Sequence, residues 1–151
     1  MRSSTCLSNN NSQPGAFSAT KKFVLHLIMC WEDDIQSAAQ DVFEHLGPGL
    51  SECIYQKALG ENLRLLGYTV ESEVIMNVLF HDQVVGFIRA DIVLDKKICL
   101  ELKAKVSLNL NDKTQAQSYL RHNSSLSHCI LINFPSSEQS VQFELMQQLA
   151  K

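Results

Sequence analysis

Residues 89–103 read Arg89-Ala90-Asp91-Ile92-Val93-Leu94-Asp95-Lys96-Lys97-Ile98-Cys99-Leu100-Glu101-Leu102-Lys103. Two apolar runs flank a polar Asp95-Lys96-Lys97 turn, the pattern of a β-hairpin. On the second strand Ile98, Leu100 and Leu102 alternate with Cys99, Glu101 and Lys103. A period of two places Glu101 and Lys103 on one face, roughly 7 Å apart. With a three-residue loop, Asp91 falls opposite Glu101, and such cross-strand neighbours sit about 5 Å apart at Cβ. Two carboxylates at that distance repel unless one is protonated or a cation lies between them. A hard divalent ion such as Mg²⁺ suits them, because it prefers oxygen ligands and keeps several waters. The plainer reading is a solvated charged face. Against it stands the apolar flank of both strands, which implies a covered sheet where charges need partners.

Working outward, Ile35, Ala38, Ala39, Val42, Phe43 and Leu46 follow the three-and-four spacing of an amphipathic helix. Asp33 or Asp34 is placed to cap it, and Gly47-Pro48-Gly49 to stop it. A second helix is expected over about 51–66, then strands over about 70–80, 84–94 and 97–104. After a polar break at Asn109-Leu110-Asn111-Asp112, a third helix covers about 113–122. His128 to Asn133 form a short apolar strand closed by Pro135. Val141, Leu145, Gln148 and Leu149 give 140–150 the spacing of a C-terminal helix. The expected class is therefore α/β, an α+β mixed sheet in the order α-α-β-β-β-α-β with a final helix. The strand–helix–strand portion requires at least one parallel pair.

The 151 residues are 45% hydrophobic, enough for one globular core. A net charge of −3 and a pI near 5.9 lack the basic excess common in nucleic-acid binders. Lys96, Lys97, Lys103, Lys105, Lys113 and Arg121 nevertheless gather near the hairpin in sequence. Five cysteines show no C-x-x-C pair and no zinc spacing, which fits free thiols in an intracellular, reducing compartment. The five histidines are scattered. Residues 1–20 are rich in Ser, Asn, Thr and Gln and read as a disordered polar segment. Residues 21–32 form an apolar extension too short to span a bilayer, so no membrane association is expected. Residues 33–151 form the single expected domain.

The order of elements, with an acid and a Glu-x-Lys on consecutive strands, resembles the PD-(D/E)xK nuclease fold, that is, a restriction-endonuclease-like core. A narrower likeness lies in Gly49-Leu50-Ser51-Glu52-Cys53-Ile54-Tyr55, which is similar to the signature of the GxxExxY proteins. Gly86, Arg89-Ala90-Asp91, Glu101-Leu102-Lys103-Ala104, Gln115 with Tyr119-Leu120, and Ile132-Asn133-Phe134 fall where that family has similar residues. The likeness covers about residues 33–135; the polar segment Asn109 to Lys113 departs from it.

The resemblance implies a phosphodiesterase acting on DNA or RNA with Mg²⁺ or Mn²⁺. Asp91, Glu101 and the Leu102 carbonyl would hold the ion. Lys103 would position the nucleophilic water or neutralise phosphate charge. Glu52 would serve as a further ligand or proton acceptor, Gln115 as a polar contact over the site, and Arg89 as a phosphate contact. Each has a structural counterpart reading: Glu52 favourable to its helix dipole, Gln115 and Tyr119 as a helix-surface pair, Arg89 as a partner holding Asp91. Tyr55 reads as a packing residue with a polar tip. The alternative function is a non-catalytic module that binds nucleic acid or protein on the same fold. A third is an intracellular scaffold with an ordinary charged face.

Overall fold

Two amphipathic helices come first among the described residues, and the residues they bury are those the spacing selects. The computed structural model describes residues 31–137 and 139–148. Helix α1 (Trp31–Leu46) buries Ile35, Ala38, Ala39, Val42 and Phe43. Gly47, at φ 73°, turns the chain out of it and donates its N–H to the Phe43 carbonyl at 2.8 Å. That left-handed conformation is cheap only without a Cβ. Helix α2 (Glu52–Leu65) buries Tyr55, Gln56, Leu59 and Leu63. Gly67, at φ 101°, follows its end.

Strands β1 (Val70–Phe80) and β2 (Gln83–Leu94) form a long hairpin around His81-Asp82, both at positive φ as a two-residue turn requires. Strand β3 (Ile98–Lys103) pairs antiparallel with β2, Ile92 opposite Leu100, Val93 opposite Cys99 and Leu94 opposite Ile98. The expected three-residue loop is therefore present. Helix α3 (Leu110–His122) crosses to β4 (His128–Asn133), which lies parallel to β3 with Leu102 beside Ile132. Strand β5 (Gln142–Gln147) completes the sheet in the order β1-β2-β3-β4-β5.

The sheet separates two apolar layers. On one side Leu94, Ile98, Leu100, Leu102, Ile130 and Ile132 pack with α1 and α2. On the other, Val93, Cys99, Cys129 and Leu131 pack with Ala116, Tyr119 and Leu120 of α3. In β2, Ala90 belongs to the second layer while Ile92 belongs to the first, so the alternation breaks at Asp91. Glu73, the matching position on β1, has φ 57°. The chain kinks where the candidate acid sits.

Three expectations are corrected. Residues 140–150 contain strand β5 rather than a helix. Antiparallel pairing with β4, Ile130 opposite Leu145, supplies backbone hydrogen bonds that β4's outer edge would otherwise lack. The segment Asn109 to Asp112 is no break but the start of α3: the Asn109 side chain accepts from the Asn111 and Asp112 N–H groups, and Asp112 accepts from the Asn109 N–H. Helix α1 is already running at Trp31, so Asp33 and Asp34 lie in its first turn and do not cap it. Trp31 and Glu32 thus belong to the helix rather than to the extension. Asp34 instead accepts a 2.7 Å hydrogen bond from the Tyr68 hydroxyl. The reading of 1–20 as disordered and of the extension up to residue 30 lies outside the described residues.

Candidate functional site

The site gathers at the C-terminal end of β3, where the kinked β2, the first turn of α2 and helix α3 meet. Asp91 projects beside β3 and accepts the Leu102 N–H at 2.7 Å. That bond fixes its carboxylate against the Leu102 peptide. Glu101 is 2% exposed, and its Oε1 accepts from Lys103 Nζ at 2.5 Å. Its other oxygen, Oε2, is buried with no hydrogen-bond donor. The nearby Tyr119 hydroxyl has one proton and gives it to the Arg89 carbonyl at 2.8 Å.

The electrostatics follow from this crowding. Burial raises the pKa of Asp91, and Glu52 and Glu73 add to the rise against the opposing Leu102 N–H and Lys103. Burial also raises Glu101, with Asp91 the next contributor and Lys103 opposing. For Lys103, burial lowers the pKa, but the bond to Glu101 and the charges of Glu101, Glu52 and Asp91 together outweigh it, so the net shift is upward. The Lys103 ammonium faces three carboxylates, those of Glu101, Glu52 and Asp91. The site is short of positive charge.

The remaining expected residues take different places. Glu52, exposed on α2, accepts the Ala104 N–H at 3.3 Å and so clasps the exit of β3. Gln115 donates to the Tyr119 hydroxyl at 3.1 Å, the helix-surface pair, and thereby reaches the site only through Tyr119. Arg89 pairs through Nε with Glu73 at 2.7 Å rather than with Asp91. Tyr55 packs: its ring stacks on Phe134 at 4.4 Å and its hydroxyl donates to the Gly47 carbonyl at 2.6 Å.

Three contributors escaped the sequence reading. Gln56 donates to the Asp91 carbonyl at 2.8 Å and to Glu73 at 2.9 Å, tying α2 to the kink. Gln56 lies one turn after Glu52, a spacing that could have drawn attention to it; nothing local marks Glu73. Asn133, fully buried, accepts from the Lys105 N–H at 3.1 Å and donates to the Lys105 carbonyl at 2.9 Å. It holds the chain just beyond Lys103.

Among the described residues, no three His, Cys, Asp or Glu side chains converge to hold a metal ion. The donor set still fits a hard cation: two carboxylates raised toward protonation, one of them with a buried oxygen that has no donor.

The family model of the PD-(D/E)XK nuclease superfamily matches residues 30–145. The chain belongs to that superfamily. The mixed sheet with its flanking helices is the PD-(D/E)XK nuclease fold. A solved structure described as "Crystal structure of SSO0001" is similar at 19% identity and a TM-score of 0.43, over 91% of this chain and 80% of that chain. No curated protein matches the chain. Among the described residues no helix is long and apolar enough to cross a membrane.

Proposed function

We propose that this PD-(D/E)XK protein is a nuclease that hydrolyses a DNA or RNA phosphodiester with Mg²⁺ or Mn²⁺. The observation that carries the reading is the buried Glu101 carboxylate, with Oε1 on Lys103 and Oε2 without a donor. An acceptor in that state is costly unless a cation or water takes it up. Asp91, Glu101 and the Leu102 carbonyl would hold the ion. Bound there, it would lower the pKa of a water and offset charge developing on the phosphate. Lys103, kept protonated by its raised pKa, sets a positive charge beside the reacting phosphate. Glu52 orients the β3 exit through Ala104, and Arg89, exposed on β2, would add a phosphate contact. Gln115 would act through the Tyr119 hydroxyl. Within the superfamily we place the chain in the GxxExxY group: Tyr55 of that signature anchors the turn before Glu52, accepting the Leu50 N–H while donating to Gly47.

The test is a panel of single- and double-stranded DNA and RNA with Mg²⁺, Mn²⁺ or EDTA, on wild type, Asp91→Ala and Lys103→Ala. Metal-dependent cleavage lost in both variants supports the proposal. Cleavage retained in both would overturn the site. No cleavage by folded wild type on any substrate would favour the non-catalytic binding module.

A further inference from the structure

Among the described residues, five that are not glycine have a positive φ. His81, Asp82, Asp95 and Lys96 lie in the two hairpin turns, where such a backbone is expected. Glu73, at φ 57°, lies inside strand β1. A Cβ makes that conformation costly, and glutamate is not among the residues that adopt it readily. Ladder pairing does not call for it: the register runs Ser72 with Ile92 and Val74 with Ala90, passing over Glu73 and Asp91. Backbone strain of this kind concentrates where a side chain must be aimed.

What the strained residue holds is a carboxylate with both oxygens engaged. Its Oε1 accepts from the Gln56 amide at 2.9 Å, and its Oε2 pairs with Arg89 Nε at 2.7 Å. The same Gln56 amide donates to the Asp91 carbonyl at 2.8 Å, and Gln56 is 8% exposed. Arg89 is also held by its main chain, whose carbonyl accepts from the Tyr119 hydroxyl at 2.8 Å. The chain Asp91–Gln56–Glu73–Arg89 thus ties the guanidinium to the backbone of the candidate metal ligand. Glu73 engages Arg89 through Nε, on a side chain that is 64% exposed. The N–H groups of the two Nη atoms are left for an incoming anion.

We propose that Glu73 is a positioning residue, which pre-orients the Arg89 guanidinium for a substrate phosphate. This rests on the nuclease reading of the site. A long cationic side chain left to itself samples many rotamers, and ordering it during binding weakens affinity. Glu73 orders Arg89 in advance, at the expense of a strained backbone and of a negative charge close to a polyanion. Neither expense serves stability.

Equilibrium binding of fluorescein-labelled single- and double-stranded DNA and RNA oligonucleotides in EDTA tests it, on wild type, Glu73→Gly, Arg89→Ala and the double variant. Glycine takes φ 57° without strain, so Glu73→Gly should melt no lower than wild type. It should nevertheless bind about three- to tenfold more weakly, because the ordering of one long side chain returns to the binding step. Charge alone gives the opposite sign, since removing a carboxylate beside a phosphate chain strengthens binding. In the Arg89→Ala background, Glu73→Gly should no longer weaken binding. Unchanged or tighter binding by Glu73→Gly overturns the proposal. So does weaker binding accompanied by a lower melting temperature, an additive loss in the double variant, or a wild type that binds no oligonucleotide. Cleavage is scored separately with Mg²⁺. A protein that binds in the expected pattern yet cleaves nothing supports the positioning of Arg89 and overturns the nuclease reading.

Discussion

Glu101 and Lys103, two residues apart on β3, form an ion pair in which Lys103 is 13% and Glu101 2% exposed by side chain. The pair engages only one of the two Glu101 oxygens. Its arrangement separates a structural from a catalytic account of the site, because the two accounts predict different consequences of removing each partner.

Removing one member of a buried pair leaves the other uncompensated, which costs about 3–5 kcal/mol. Lys103→Met should destabilise the protein by up to that amount, less whatever protonation of Glu101 recovers. Glu101→Gln/Lys103→Met should regain most of the loss, since no lone charge remains. Urea unfolding of the two single variants and the double variant measures the coupling. Additive losses would mean the pair contributes nothing, although cleavage should vanish in all three.

Asp91→Asn should melt higher than wild type in EDTA at neutral pH. The pKa of Asp91 is raised by folding, so folding favours its protonated form. Its contribution is greatest below the unfolded pKa and is lost as pH rises through the folded one. The variant's advantage should therefore shrink on acidification. With Mg²⁺ the order should reverse, since an ion bound only to native wild type stabilises it by mass action. Thermal melts at several pH values with and without Mg²⁺ read both effects, and identical Mg²⁺ shifts in the two proteins would remove Asp91 from the ligand set.

Asp112 has the opposite sign. Burial raises its pKa, but Lys105, paired to its carboxylate, and the Asn109 N–H outweigh that and leave it lowered. It contributes stability above the ordinary value of 3.8 that is lost as pH falls through the folded pKa. Asp112→Ala should cost about 1–2 kcal/mol at neutral pH through the lost capping box. The difference from wild type should close at low pH, as denaturant midpoints across the acid range would report.

What was legible in the chain is what short-range patterning specifies. The β2–β3 hairpin, its loop length and the helical faces of α1 and α2 rest on spacings of two or of three and four, and they stand in the structure; the register ends at Ile92 opposite Leu100, and Asp91 bonds the Leu102 N–H. Strand β5 was not legible, because Phe143 and Leu145 take their conformation from β4, while the local spacing of Val141, Leu145 and Leu149 suggests a helix. The start of α3 was signalled by Asn109 and Asp112, three apart, but their polarity reads equally as a loop. Gln56 and Glu73 meet across seventeen residues of sequence, and no periodicity encodes that contact. Asn133 likewise gains its role only when β4 lies beside β3.

The break in alternation at Asp91 also has a kinetic side. Asp91 and Glu101 lie within one short hairpin, and local hairpins close in about 1–10 μs, before a crossover such as α3 can bring β4 alongside β3. The two acids would therefore meet early, while the Tyr119 and Asn133 framework is still unassembled. Their repulsion would then oppose closure of the hairpin, and a cation between them would ease it.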